Sequence, residues 1–175
     1  MTTVTFISKE TLSGTSNSLT FSTISSDYSD LRIIGMLKSS TAGNFNGTLA
    51  IRLNGITSND YKRTAMGNEN ANLLNMRQDT GLNGLLVATG FAGADNNANN
   101  RCIFDIYIPN YTSSRFKSLN AFSWSGGYND SGSNQYNYQW ALTGQLTNTS
   151  AVTSVTLYEV GGGNLTGNVS LYGIS

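Results

Sequence analysis

A two-residue period in the apolar residues limits this chain's fold more than any other feature. In RCIFDIYIPNY, residues 101–111, Cys102, Phe104, Ile106 and Ile108 fall on one side of an extended backbone, with Arg101, Asp105 and Tyr107 on the other. Pro109 then withdraws a ladder donor, so the predicted strand ends before it. GTLAIRLNG, residues 47–55, repeats the pattern, setting Leu49, Ile51 and Leu53 against Ala50 and Arg52. Asn54-Gly55 behind it suits a tight turn with positive backbone angles and reads as the bend of a hairpin.

Similar short runs recur at TVTFIS, SLTFSTI, DLRIIGMLK, AFSW, YNYQWALTG, SVTLYEV and NVSLYGI, separated by Gly, Asn and Ser clusters. About nine to eleven antiparallel strands at turn spacing predict an all-β sandwich or barrel. At 175 residues, one domain is the simplest reading. SVTLYEV and NVSLYGI echo one another across a glycine-rich bend, so the C-terminal run is expected to be a strand inside a sheet. NENANLLNMRQ, starting near the possible cap Asn68, hints at one helix, although its apolar stripe is thin. Residues 66–100 look least strand-like and read as a long irregular insertion.

Composition excludes several classes of partner. Ten Lys plus Arg balance ten Asp plus Glu, and only 11% of residues are charged, so no field draws in nucleic acid. The weakly polar run Leu85 to Ala94 is half the length a membrane helix needs, and MTTVTFISKETL lacks the form of a secretion leader. Solubility rests on 22 Asn, 22 Ser and 20 Thr, while 18 aromatic residues supply enough apolar surface for a folded core.

Catalytic chemistry is poorly provided for. With no histidine, imidazole-activated nucleophiles and most zinc sites are closed off. Cys102 lies on the apolar side of its strand and reads as a small core hydrophobe. Ser114 and Lys117 in SRFK match a serine–lysine spacing, but its companion motifs are missing. The nearest carboxylate pairs, Asp27 with Asp30 and Asp60 with Glu69, sit in turn-like stretches, and the polar loops at Asp95 and Asn129 read as loop tips before calcium sites. No cofactor, metal or catalytic residue is expected.

The positive feature is FSWSGGYNDSGSNQYNYQW, residues 122–140, which carries Trp124, Tyr128, Tyr136, Tyr138 and Trp140. Alternation sets Tyr136, Tyr138 and Trp140 on one face, with Asn137 and Gln139 on the other. Two readings stay open: the rings form core, or they grip a sugar or a protein. Together with Asn96 and Asn97 of the irregular stretch, these residues are the candidate partner contacts.

IYIPNYTSS at 106–114, the opening TFISKETLSG, LTFSTISSDYSDLRIIG and the closing SLYGI together resemble a family of small tailed-bacteriophage virion proteins. The resemblance implies a jelly-roll-like β-sandwich, often trimeric, on the outer surface of the particle, and supplies no catalytic residue. It implies a capsid decoration or cement protein, a homotrimer that binds major capsid proteins. The alternative is a head-fibre or tail-fibre module that recognises host glycan.

Overall fold

The computed structural model describes residues 2–42, 47–69, 72–91, 100–128 and 135–175, and every helix or strand among them is a strand. There are twelve: β1 (Val4–Ser13), β2 (Ser18–Phe21), β3 (Asp30–Ser39), β4 (Gly47–Leu53), β5 (Tyr61–Glu69), β6 (Asn72–Leu82), β7 (Leu85–Phe91), β8 (Cys102–Ile108), β9 (Lys117–Tyr128), β10 (Gln135–Leu146), β11 (Val155–Glu159) and β12 (Leu165–Ile174). All pairings are antiparallel. They form an eight-stranded sheet, β1-β12-β3-β8-β9-β10-β5-β6, and a four-stranded sheet, β2-β11-β4-β7.

Both sheets bury their facing side chains in one core. Leu31, Ile33 and Leu37 of β3, Phe104, Ile106 and Ile108 of β8, Val169 and Leu171 of β12 meet Leu49, Ile51 and Leu53 of β4 and Val155 and Leu157 of β11. The alternation in β8, predicted from its sequence, is observed: Cys102, Phe104, Ile106 and Ile108 are buried, and the strand stops at Pro109. Burial pushes the Cys102 thiol well above its ordinary range, away from reactive thiolate chemistry.

Four strands, β5, β6, β9 and β10, form two inserted hairpins that extend the large sheet beyond β8. The other eight pair in a nested order: β1 with β12, β2 with β11, β3 with β8 and β4 with β7. β7 lies over the inserted strands, and Arg63, only 5% exposed, ties the layers together. Its Nη1 donates to Leu86 O of β7 at 2.9 Å, while its Nε holds Asp79 Oδ2 of β6 at 2.6 Å.

Three sequence expectations are corrected. The helix near Asn68 is instead the β5–β6 hairpin, because pairing Met66 with Met76 and Thr64 with Gln78 gives this weakly periodic segment a ladder that a lone helix would lack. The described residues of the expected insertion over 66–100 are therefore mostly strand: β5 runs to Glu69, and β6 and β7 follow, while 92–99 lie outside the described residues. Asn54 and Gly55 do have φ of 54° and 63°, but the turn closes no hairpin. β4 and β5 belong to different sheets, and Asn54 anchors the crossing by accepting from Thr153 N and Ser154 N.

Candidate functional site

The β9–β10 hairpin has two unlike faces. On β9, Leu119, Ala121, Ser123 and Ser125 point inward and are buried, while Phe122 and Trp124 point outward with 53% and 37% exposure. On β10 the described rings, Tyr138 and Trp140, are on the inward face. Trp140 is buried, and the register sets it between Ser123 of β9 and Gly67 of β5. Those neighbours must be small: a Cβ added at Gly67 would lie 2.8 Å from the indole. Tyr138 is likewise flanked by Ser125, and its ring lies against Gly90 of β7, where φ is +67°.

The structure therefore separates the predicted aromatic contacts. Trp140 and Tyr138 share a face, as alternation requires, and that face belongs to the interior. Trp124 is on the opposite face. Asn96 and Asn97, and the side chains of Tyr128 and Tyr136, lie outside what the structure describes.

Trp124 belongs to a broader outward surface of the eight-stranded sheet. Cross-strand register lines up Ile34, Asp105, Phe122, Ala141, Met66 and Met76 in one row across β3, β8, β9, β10, β5 and β6. Beside it run Met36, Ile103 and Trp124. On the other side is a polar row, Arg32, Tyr107, Asn120, Thr143, Thr64 and Gln78. The apolar and polar rows line a groove of about 820 Å³ that reaches from Arg32 to Met76.

The apolar part is large. Ile34, Met36, Met66, Met76, Ile103, Phe122 and Trp124 are between 37% and 76% exposed. At about 200 Å² per fully exposed large side chain, they present roughly 700 Å², more than the usual largest patch of a monomer and near one partner's share of a standard interface. The smaller sheet's outer face is quite different. Thr20 and Thr156 hydrogen-bond across it at 2.9 Å, and the Arg52 guanidinium stacks 4.0 Å over Tyr158.

Polar side chains at the groove are already organised. Arg32 grips Asp105 through Nη2 at 2.5 Å and Nε at 3.0 Å, and this hydrogen bond raises the Arg32 pKa. Tyr107 donates to Asp30 Oδ2 at 2.6 Å, which holds its phenol above the ordinary value, and Thr143 donates to Asn120 Oδ1 at 3.0 Å. These groups can orient a ligand by hydrogen bonding. They form no acid–base pair.

The weaker sequence motifs resolve into scaffold. Lys117 is 2% exposed and its Nζ donates to the backbone carbonyls of Ser113, Arg115 and Thr149, while Ser114 is exposed, so the SRFK spacing assembles no nucleophile and base. Asp30 accepts from Tyr107 and from Asn110 N, and Asp27 from Ser25. Asp60 precedes β5 and Glu69 ends it, roughly 30 Å apart along an extended strand. No cluster of three metal-ligating side chains occurs among the described residues, and Asp95 and Asn129 lie outside them. Among the described residues, no helix is long and apolar enough to cross a membrane.

The signal for the outer face was present in β9, where small residues alternate with Phe122 and Trp124. A strand whose inward positions are Ala and Ser must place its large rings outside.

No protein-family profile matches the chain, and no curated protein matches it. Among solved structures, an engineered GH43 glycoside hydrolase with endo-xylanase and exo-arabinofuranosidase activity aligns at 9% identity and a TM-score of 0.32, covering 95% of this chain and 36% of that one. Scytalido-glutamic peptidase aligns at 13% identity and 0.30, covering 93% and 66%, and NanB at 10% and 0.35, covering 93% and 25%. This chain thus spans about a third of the glycoside hydrolase and a quarter of NanB. Scores this low establish neither a common fold nor a common activity.

Proposed function

We propose that this chain is a non-catalytic structural component of a tailed-phage particle, a jelly-roll cement protein that fastens to the major capsid protein through the outer face of its larger sheet. The nested pairing of β1 with β12, β2 with β11, β3 with β8 and β4 with β7 supports the jelly-roll framework. The observation that carries the docking role is the exposed band of Met66, Met76, Ile103, Phe122 and Trp124 in a chain with so few charges. Methionine and aromatic side chains are enriched in protein interfaces, whereas Ile offers a sugar hydroxyl no partner and Met only a weakly accepting sulfur. Contacts of this kind survive salt that would screen ion pairs.

A mass-spectrometric inventory of purified virions tests the reading. Hundreds of copies per particle, and earlier heat rupture of particles lacking the protein, are expected. Absence from the virion, or equal heat stability with and without it, refutes it.

The polar row supports a second reading, a fibre module that recognises glycan. Asn120, Thr143, Tyr107 and the Arg32–Asp105 pair stand beside the exposed Phe122 ring, the combination of hydrogen bonding and apolar contact that saccharides use. A handful of copies per particle, with glycan-array binding abolished by Asn120→Ala, would favour it.

A further inference from the structure

We propose that the outer face of the eight-stranded sheet carries an oxidation switch: sulfoxide formation at Met36, Met66 and Met76 turns its apolar band polar and weakens attachment to the capsid. The effect on attachment rests on the docking role proposed above. The change in polarity does not.

Besides Met1 the chain has three methionines, and all three stand on this one surface, 46%, 50% and 76% exposed in chain order. Methionine commonly fills gaps in a core, yet among the described residues the core contains none. The ladders bring together what the sequence separates. Met66 and Met76 face one another across β5 and β6, and Met36 lies opposite Ile103 on β3 and β8. The pair and the single methionine thus bracket Phe122 and Trp124 from both sides.

Peroxides oxidise a thioether without a catalyst. A sulfur lone pair attacks one peroxide oxygen, the O–O bond breaks as the S–O bond forms, and the departing hydroxide takes the proton of the transferred oxygen and leaves as water. Sulfur loses two electrons and the peroxide gains them. Access decides which sulfur reacts: the three thioethers are open, whereas the Cys102 thiol is 1% exposed. The neighbouring Ile and Phe side chains are inert to the same reagent. A sulfoxide is neutral, so the charge balance of the chain is unchanged. It replaces a weakly accepting sulfur with a strongly accepting oxygen, and an apolar partner would strip that oxygen of water and supply no donor. At positions 66 and 76 the two new acceptors face one another and cannot satisfy each other. None of the three side chains supports the core, so oxidation leaves the fold intact.

Dilute hydrogen peroxide at neutral pH, applied to the purified folded protein, is the test. Peptide mapping by mass spectrometry should find one added oxygen on each of Met36, Met66 and Met76, Met76 first, with Cys102 unmodified and the far-UV spectrum unchanged. Retention on a phenyl hydrophobic-interaction column should fall, and Met66→Leu/Met76→Leu should lose much less retention, each protein being compared with its own untreated state. Oxygen on Cys102 before the methionines, unfolding on oxidation, or equal retention before and after overturns the proposal. Attachment to capsids assembled without this protein should weaken at least about tenfold on oxidation and recover after treatment with methionine sulfoxide reductases of both epimer specificities. If the untreated protein fails to attach, the docking role falls while mapping and retention still decide the switch. If untreated and oxidised protein attach equally well, the switch falls and the docking role stands.

Discussion

Two substitutions on one hairpin separate adhesion from folding. Phe122 is 53% exposed at the middle of the apolar row, and Trp140, a neighbouring-strand residue, is 3% exposed on the other face. Covering the open half of a phenyl side chain removes about 100 Å² from water, which at about 25 cal/mol per Å² is about 2.5 kcal/mol, or roughly 60-fold in affinity. On the proposed docking role, Phe122→Ser should therefore weaken attachment to capsids assembled without this protein by that order while its urea midpoint barely moves. Trp140→Ala empties a site framed by Ser123 and Gly67 and should cost about 3–5 kcal/mol of stability. At temperatures where it remains folded, its affinity should stay near wild type. If Phe122→Ser unfolds the protein, or Trp140→Ala loses binding while fully folded, the assignment of the two faces is wrong.

Other outcomes follow from buried groups. Leu157→Asp or Leu171→Asp places an unpaired charge where the side chain is at most 1% exposed, and soluble folded protein at wild-type yield would refute the strand assignment. Glu159, buried between β11 and the bend before β12, accepts Thr48 N through Oε1 at 3.0 Å and Gly163 N through Oε2 at 2.7 Å. Glu159→Gln turns an amide donor toward one of those N–H groups and should cost about 1.5–3 kcal/mol by urea unfolding, whereas an unchanged midpoint would dismiss the bridge. Alkaline pH should destabilise the fold. Burial raises Tyr61 and Tyr111, and hydrogen bonding to Asp30 raises Tyr107, so the stability they lend is complete below pH 10 and drains as pH rises through their folded values. Lys117, lowered by burial, acts the opposite way below its ordinary 10.5 and no longer offsets them beyond it. A urea midpoint that stays flat a full unit above pH 10.5 would contradict this.

Local chemistry was legible in the sequence wherever a residue's immediate neighbours decide its conformation. The inward set of β8, the stop at Pro109, the left-handed angles at Asn54 and Gly55 and the burial of Cys102 all follow from period, ring constraint or turn preference. Partner choice was not legible. Asn54-Gly55 reads as a hairpin because its conformation is local, yet β4 pairs with β7 and β11, which arrive more than thirty residues later. Alternation also groups Tyr138 with Trp140 without saying which side is inside, since that depends on where β7 lies over β10. Met66 and Met76 were hidden for the same reason: the ladder that brings them together is longer-range than the helix-like pattern of Asn68 to Gln78.

The outermost pairing, β1 with β12, joins residues about 160 positions apart, and Thr3 and Ser175 exchange hydrogen bonds of 2.8 and 3.0 Å across it. Loop-closure entropy makes such a contact slow to nucleate, so acquisition of the native state is expected on the millisecond-to-second scale of high-contact-order β proteins. During biosynthesis β3 must wait beside an empty place until β12, more than a hundred residues later in the chain, has been made. Through that interval the nascent molecule carries an open, apolar strand margin, and the wealth of Asn, Ser and Thr around it becomes a safeguard against premature aggregation.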